Sequence, residues 1–265
     1  MKKYTKIMAL LLAVALLSGC TGQTPEATQT QPTETEPAPE PITTESALVA
    51  ALEDQVRVTL EGDITLTKGV VVKDNLLDGG GHTVTAPVYD ENDPATSCGI
   101  LVERGTVENV TVKGGYRGVG TNSEHKTLGE VRLNKVVADG ENCALYIGNG
   151  SGSGSLLASN CSFGGQTVFN RITHAQFENC TFTWNESGSK GNLTAYANVT
   201  LIGCRFEGKE DGTKYTLQFS GSVDGCLMIL EDCYVGDTLI TQENIGQLLK
   251  ANARKNKIEI RNTIK

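Results

Sequence analysis

The chain has 265 residues, with 31 acidic against 23 basic side chains and a net charge of -8. No basic stripe is present to neutralise phosphates, which argues against nucleic acid as a partner. Thirty glycines and an aromatic content of only 5% suit an all-β chain of many short strands and tight turns.

In chain order, the first element reads as a secretion signal. Lys2, Lys3 and Lys6 form a basic start, and Ile7 to Leu17 is an apolar run of 11 residues. That run is well short of the roughly 20 helical residues that span a bilayer. It ends in Leu17-Ser18-Gly19-Cys20. This resembles the lipobox of bacterial lipoproteins, which implies cleavage after Gly19 and lipid on the Cys20 thiol. Residues 1–19 are thus expected to be a lipoprotein signal peptide, and Cys20 the lipidation site. More than one acyl chain on the new terminus is what stable anchoring requires.

Residues 20–45 follow as a tether. From Thr21 to Glu45 the sequence holds eight Thr, five Pro and five Glu with almost nothing apolar. Such a segment cannot bury enough surface to fold. Proline keeps it extended, at up to about 3.1 Å per residue.

The folded domain is expected over residues 46–265. Ser46 to Asp54 reads as a short helix with Ser46 as N-cap and Leu48, Ala51 and Leu52 on one face. Beyond it a repeat emerges. Val107–Gly114, Ala158–Gly165, Phe177–Thr183, Leu201–Gly208 and Leu230–Gly236 share one frame. The frame runs apolar, x, Asn/Asp/Gly, Cys/Val, x, apolar, and Val72–Gly79 and Leu133–Gly140 fit it loosely. The fourth slot is Asn75, Val110, Val136, Cys161, Cys180, Cys204 and Cys233, at successive gaps of 35, 26, 25, 19, 24 and 29 residues. Strands this short, repeating about every 25 residues, match one coil of a parallel β-helix, whereas a propeller blade needs about 40. Alternation turns Ala175 and Phe177 inward, and Cys180 and Phe182 inward after the bend. The bend slot suits residues that tolerate left-handed backbone. Thr241 to Asn256 reads as a C-terminal amphipathic helix, and Lys257–Arg261 as a last strand.

Together with Val56-Arg-Val-Thr-Leu-Glu-Gly-Asp-Ile-Thr-Leu66 and Leu77-Asp-Gly-Gly-Gly-His-Thr-Val84, this frame resembles the pectate-lyase-like β-helix family over roughly residues 46–240. The resemblance implies an all-β, single-stranded, right-handed parallel β-helix of about seven to eight coils with a helical cap at each end.

Chemistry is sparse by comparison. Cys161, Cys180, Cys204 and Cys233 lack CxxC spacing, so zinc has little support. They are expected to stack as buried free thiols, because in-register side chains point the same way and leave Cβ atoms beyond the usual disulfide span. Asp90-Glu-Asn-Asp-Pro94 lacks the EF-hand order and reads as a solvated loop. His82, His125 and His174 assemble no triad. The enzymes of the resembled family use paired aspartates with Gly-His-Gly, or calcium-binding acids facing an Arg or Lys. Arg171 and Arg205 fall in the right region, but no matching acid cluster is visible. No catalytic, cofactor or metal residue is therefore assigned. Tyr146, Phe169 and Tyr196 offer a candidate outward aromatic stripe for sugar rings. The expected function is an outward-facing, membrane-anchored protein that binds or displays, with extracellular polysaccharide or cell-wall glycan as ligand. The alternative is a polysaccharide lyase or glycoside hydrolase acting on an acidic glycan. Cys20→Ala should release the protein from the membrane or leave an unprocessed precursor. A correctly cleaved mutant that stays in the membrane fraction would exclude Cys20 as the anchor.

Overall fold

The structure is a computed structural model that describes residues 41–90, 97–121, 129–148, 154–170, 172–184, 192–209 and 212–263. Cys20, most of the tether and residues 91–96, which include all of the acidic loop but Asp90, lie outside them, as do His125 and Arg171. The fold occupies the unit Glu40–Lys265.

That unit is a parallel β-solenoid. Each coil contributes one strand to each of three sheets. The first sheet stacks nine strand segments: Arg57–Thr59, then segments within Val70–Asp78, Cys98–Lys113 and Glu130–Ala138, then Ser155–Ser159, His174–Glu178, Asn198–Ile202, Leu227–Glu231 and Lys257–Arg261. The second sheet runs from Ile64–Thr65 to Tyr234–Val235. The third runs from Val70 to Lys250–Asn252. An antiparallel pairing, Tyr234–Val235 with Thr238–Leu239, closes the C-terminal end of the second sheet. Strand-to-strand steps of about 4.8 Å set the coil rise.

The corner between the first and second sheets is where the repeat frame acts. Asn109, Lys135, Asn160, Asn179, Gly203 and Asp232 all have φ between 48° and 60°. Left-handed backbone turns the chain within one residue, and Asn, Asp and Gly adopt it most readily. Lys135 takes the same geometry without that preference. The bend reverses no hydrogen bonding. Asn160 N–H donates to Glu178 O at 2.9 Å and Asn179 N–H to Ile202 O at 2.8 Å, each in the next coil.

Register corrects one alignment. Leu77, not Val72, stands beside Val107, and Asn75 stands beside Gly105. Asn75 therefore belongs to the corner between the third and first sheets and is not a slot-mate of Val110. Its amide donates to Leu52 O (3.0 Å) and Gln55 O (2.5 Å), fastening the end of the cap helix. The counterpart of the later bends is the Gly79-Gly80-Gly81 turn. Gly80 has φ 59°, and a Cβ on Gly79 would lie 2.4 Å from Val110 Cβ.

The cap helix runs Glu45–Asp54, with Leu48, Ala51 and Leu52 buried. Its N-cap is Thr44, two residues earlier than Ser46: Thr44 Oγ1 accepts from Ala47 N–H. Glu45 accepts from Thr67 N–H, Thr67 Oγ1–H and Lys68 N–H, so the first helical residue is tied to the coil below. Ile42 is also buried, which extends the folded body into the expected tether. The C-terminal helix is a single turn, Ile245–Leu248. Lys250–Asn252, expected to be helical, instead pairs with Thr216–Gln218. An open sheet edge offers that segment backbone partners, and this outweighs its helical periodicity.

Inside, side chains stack in kind. Phe163, Phe182 and Phe206 occupy one register column, with ring centroids 5.5 and 5.4 Å apart. Phe177 meets Phe182 edge-on at 5.2 Å. Such pairs add to the burial of the rings themselves. Cys161, Cys180, Cys204 and Cys233 form the adjoining column, each buried and free. Their thiols donate to backbone carbonyls, Cys161 to Ser159 O at 3.2 Å and Cys233 to Leu201 O at 3.3 Å. Hydrogen bonding to the Cys180 sulfur, then burial, holds Cys161 and Cys204 far above the usual thiol range. In the third sheet burial pushes Cys143 up to about 12.

Thiol counting should find these groups unreactive in the folded chain and reactive after denaturation, with no reductant added. Cys180→Val should be nearly neutral, since Val110 and Val136 already fill the slot, and Cys180→Asp severe. Because the folded pKa of Cys143 lies above its ordinary 9.0, its contribution to stability is complete below pH 9. It is lost as pH climbs toward 12. Loss of the four column thiols even after unfolding would mean disulfides and defeat the register.

Candidate functional site

The outer face of the first sheet carries two parallel rows. One row is Asp78, Glu108, Asn134, Ser159, Glu178, Ile202 and Glu231. The other is Leu76, Thr106, Arg132, Leu157, Gln176, Thr200 and Ile229. Strand alternation puts these side chains outward because Leu77, Val107, Leu133, Ala158, Phe177 and Leu201, between them, fill the core. Where the rows hold small residues the face sinks into a groove of about 370 Å³, running from Thr106 and Glu108 to Gln176 and Glu178. Its floor is Leu157, Asn134 and Ser159, whose Oγ–H donates to Asn134 Oδ1 at 3.2 Å. Gln176 Nε2 donates to Glu178 Oε1 at 2.6 Å. Arg132 stands within the groove and pairs with Glu130 on its own strand. An aliphatic floor edged by amide, hydroxyl, guanidinium and carboxylate groups can hold a polyhydroxylated chain by stacking and hydrogen bonds.

The carboxylates do not converge. Glu108 and Glu178 stand three coil steps apart, about 14 Å at about 4.8 Å per step. Paired glycosidase carboxyls stand about 5–9.5 Å apart. Asp78 and Glu108 are neighbours, but Arg57 bridges both, at 3.0 and 3.6 Å. Among the described residues no three His, Cys, Asp or Glu side chains gather as a metal site.

The remaining residues singled out from sequence are scattered. His82 pairs with Asp63 in the first-coil turn at 3.5 Å. His174 faces outward between Ser155 and Asn198, and burial lowers its pKa. Arg205 is held by Asp237 at 3.0 Å and lies over the Tyr234 ring. The aromatic stripe is corrected by register. Val168, not Phe169, stands beside Tyr146, while Phe169 stands beside Ile147 and Ala195 and is fully buried. A parity error of one moves a strand residue to the opposite face. The groove itself went unseen in the sequence. Its rows alternate with core residues that carry the repeat, and nothing in the frame constrains the outward positions. Only the recurring polar residue after each core residue of the frame (Glu108, Asn134, Ser159, Glu178) could have marked it.

No family model and no curated protein matches the chain. A solved structure described as L. reuteri 53608 SRRP, a serine-rich repeat protein, is similar at 13% identity and a TM-score of 0.35. It covers 84% of this chain and 97% of that one. At that level the likeness carries no argument about what either chain does.

Phe169→Ala should lower unfolding free energy by about 3–5 kcal/mol, as for other buried phenylalanines. Tyr196→Ala, at a half-buried position, should cost less than half as much. Equal losses in urea denaturation would place Phe169 on the surface after all.

Proposed function

We propose that this chain is a bacterial lipoprotein, anchored through Cys20 to a membrane and facing outward. Its β-solenoid, pectate-lyase-like in frame and first coil, binds extracellular polysaccharide or cell-wall glycan without turning it over. The observation that carries the reading is the first-sheet groove over Thr106–Glu178. It is long, open to solvent along the coil stack, and lined by groups that hydrogen-bond hydroxyls. The separation of Glu108 from Glu178 supports binding over hydrolysis. Arg132 between them is the feature that favours the second reading, a lyase or hydrolase on an acidic glycan. There the cation would meet a substrate carboxylate.

The test is a screen of the full chain against acidic and neutral polysaccharides, scoring both retention and new reducing or unsaturated ends. Retention without products is expected. Arg132→Met and Gln176→Ala should each weaken it about tenfold, the equivalent of roughly 1.4 kcal/mol. Retention untouched by both changes would remove the groove from the reading. Product release faster than about 1 per second, an ordinary enzymatic rate, would replace binding with catalysis.

A further inference from the structure

The arginines of this acidic chain are matched by carboxylates in five described cases. Arg57 has Asp78, Arg104 has Asp74, Arg132 has Glu130, Arg205 has Asp237 and Arg261 has Glu259. Among the described residues Arg254 has none, but it is exposed on the last coil, where water solvates it. Arg117 is different. It is half-buried at the start of the third-sheet strand Arg117–Gly120, and among the described residues no carboxylate pairs with it.

Its surroundings are built. The side chain lies across Gly120, where an added Cβ would come within 3.2 Å of Arg117 Cδ. The guanidinium carbon then sits 3.9 Å from the centroid of the Tyr146 ring, one coil on, and 5.3 Å from that of Tyr116. Tyr116 in turn stacks on Tyr89, with centroids 5.0 Å apart and planes 17° from parallel. Nη1 donates to Thr121 O. Nε is shielded from water, and among the described residues neither it nor the hydroxyl of Thr121, which is fully buried, has a partner. A half-dehydrated cation with an unmet donor is costly to maintain. The ring contacts offset part of that cost, but they supply no negative charge.

We propose that Arg117, Tyr116 and Tyr146 form a site for an oxyanion carried on a sugar ring. The carboxylate of a uronate and the phosphate of a sugar phosphate share the required chemistry. The guanidinium would take the oxyanion as a charge-assisted, planar donor. The half-exposed Tyr89–Tyr116 stack beside it offers a flat surface for the ring. This site lies on the third sheet and is independent of the first-sheet groove, so either can fail without the other.

The experiment titrates glucuronate and glucose 6-phosphate into the full chain, with glucose and acetate as controls. Because Arg117 Nε is shielded, its N–H should give a slowly exchanging side-chain NMR signal. At least one sugar anion should shift that signal with a Kd of about 1 mM, the range of a single small contact set. Glucose should leave it unmoved and acetate should bind more weakly. A response to one anion and not the other identifies the group recognised. The rings of Tyr116 and Tyr146, which border the guanidinium, should shift with the same anion, and at those ring signals Arg117→Met should abolish the response while leaving the unfolding midpoint in place. Should that variant not fold, the wild-type response must weaken between low and high salt, as a charge-driven contact does. The proposal is overturned if glucose matches the anions, if acetate matches the sugar anions, if the response survives Arg117→Met or is indifferent to salt, or if no anion moves the signal by about 20 mM, twentyfold above the expected Kd.

Discussion

Backbone hydrogen bonds between successive coils set the terms for everything else in this protein. A parallel ladder closes only if each coil returns to the same place about 4.8 Å further on. The three corners must then fall at equivalent positions coil after coil. Six left-handed residues, one in each successive coil from Asn109 to Asp232, meet that demand at one corner. Because the turn is confined to one residue, the strands on either side keep their register through it. The insertions that vary coil length are then pushed out of the strands and into the connections.

In-register stacking explains the composition of the core. Equivalent positions in successive coils present like to like, so Phe163, Phe182 and Phe206 stack as rings. Cys161, Cys180, Cys204 and Cys233 stack as small apolar groups. A column of cysteines serves here because a buried thiol packs as a small apolar group while its S–H still reaches a carbonyl beside the bend. Neither column places a reactive group at the surface. The helix Glu45–Asp54 covers the first coil, while the last coil relies on one helical turn and on charged Lys257, Glu259 and Arg261 along its outer edge. Charge on an open edge discourages pairing with another chain.

Function on such a scaffold is written on outward positions that the coil geometry leaves free. The first sheet offers a groove of mixed polar character, and the third offers a cation beside two tyrosine rings. The two differ in kind. The groove is extended and suits a chain, whereas Arg117 is a point of charge and suits a single group. Neither arrangement brings two carboxylates to catalytic separation.

The sequence by itself determined the solenoid, the bend column and the inward parity of Phe177, Cys180 and Phe182. Each follows from local rules: alternation, left-handed tolerance and a recurring interval. It determined the helical start near Ser46 to within two residues, and it determined the expectation of lipid on Cys20. Tertiary structure decided the rest. Asn75 moved to another corner because the first coil's turn at Gly79–Gly81 shifts the register by more than the repeat frame reveals. Lys250–Asn252 became a strand because an unpaired edge stood waiting for it. Phe169 went inside because one residue of phase inverts a strand. The groove and the Arg117 site are sums over several coils, and a side chain's neighbours across a parallel ladder lie some 20 to 30 residues away in sequence, as with Glu108 and Asn134 or Gly120 and Tyr146. No local pattern encodes those meetings; only the closing of each coil onto the next creates them.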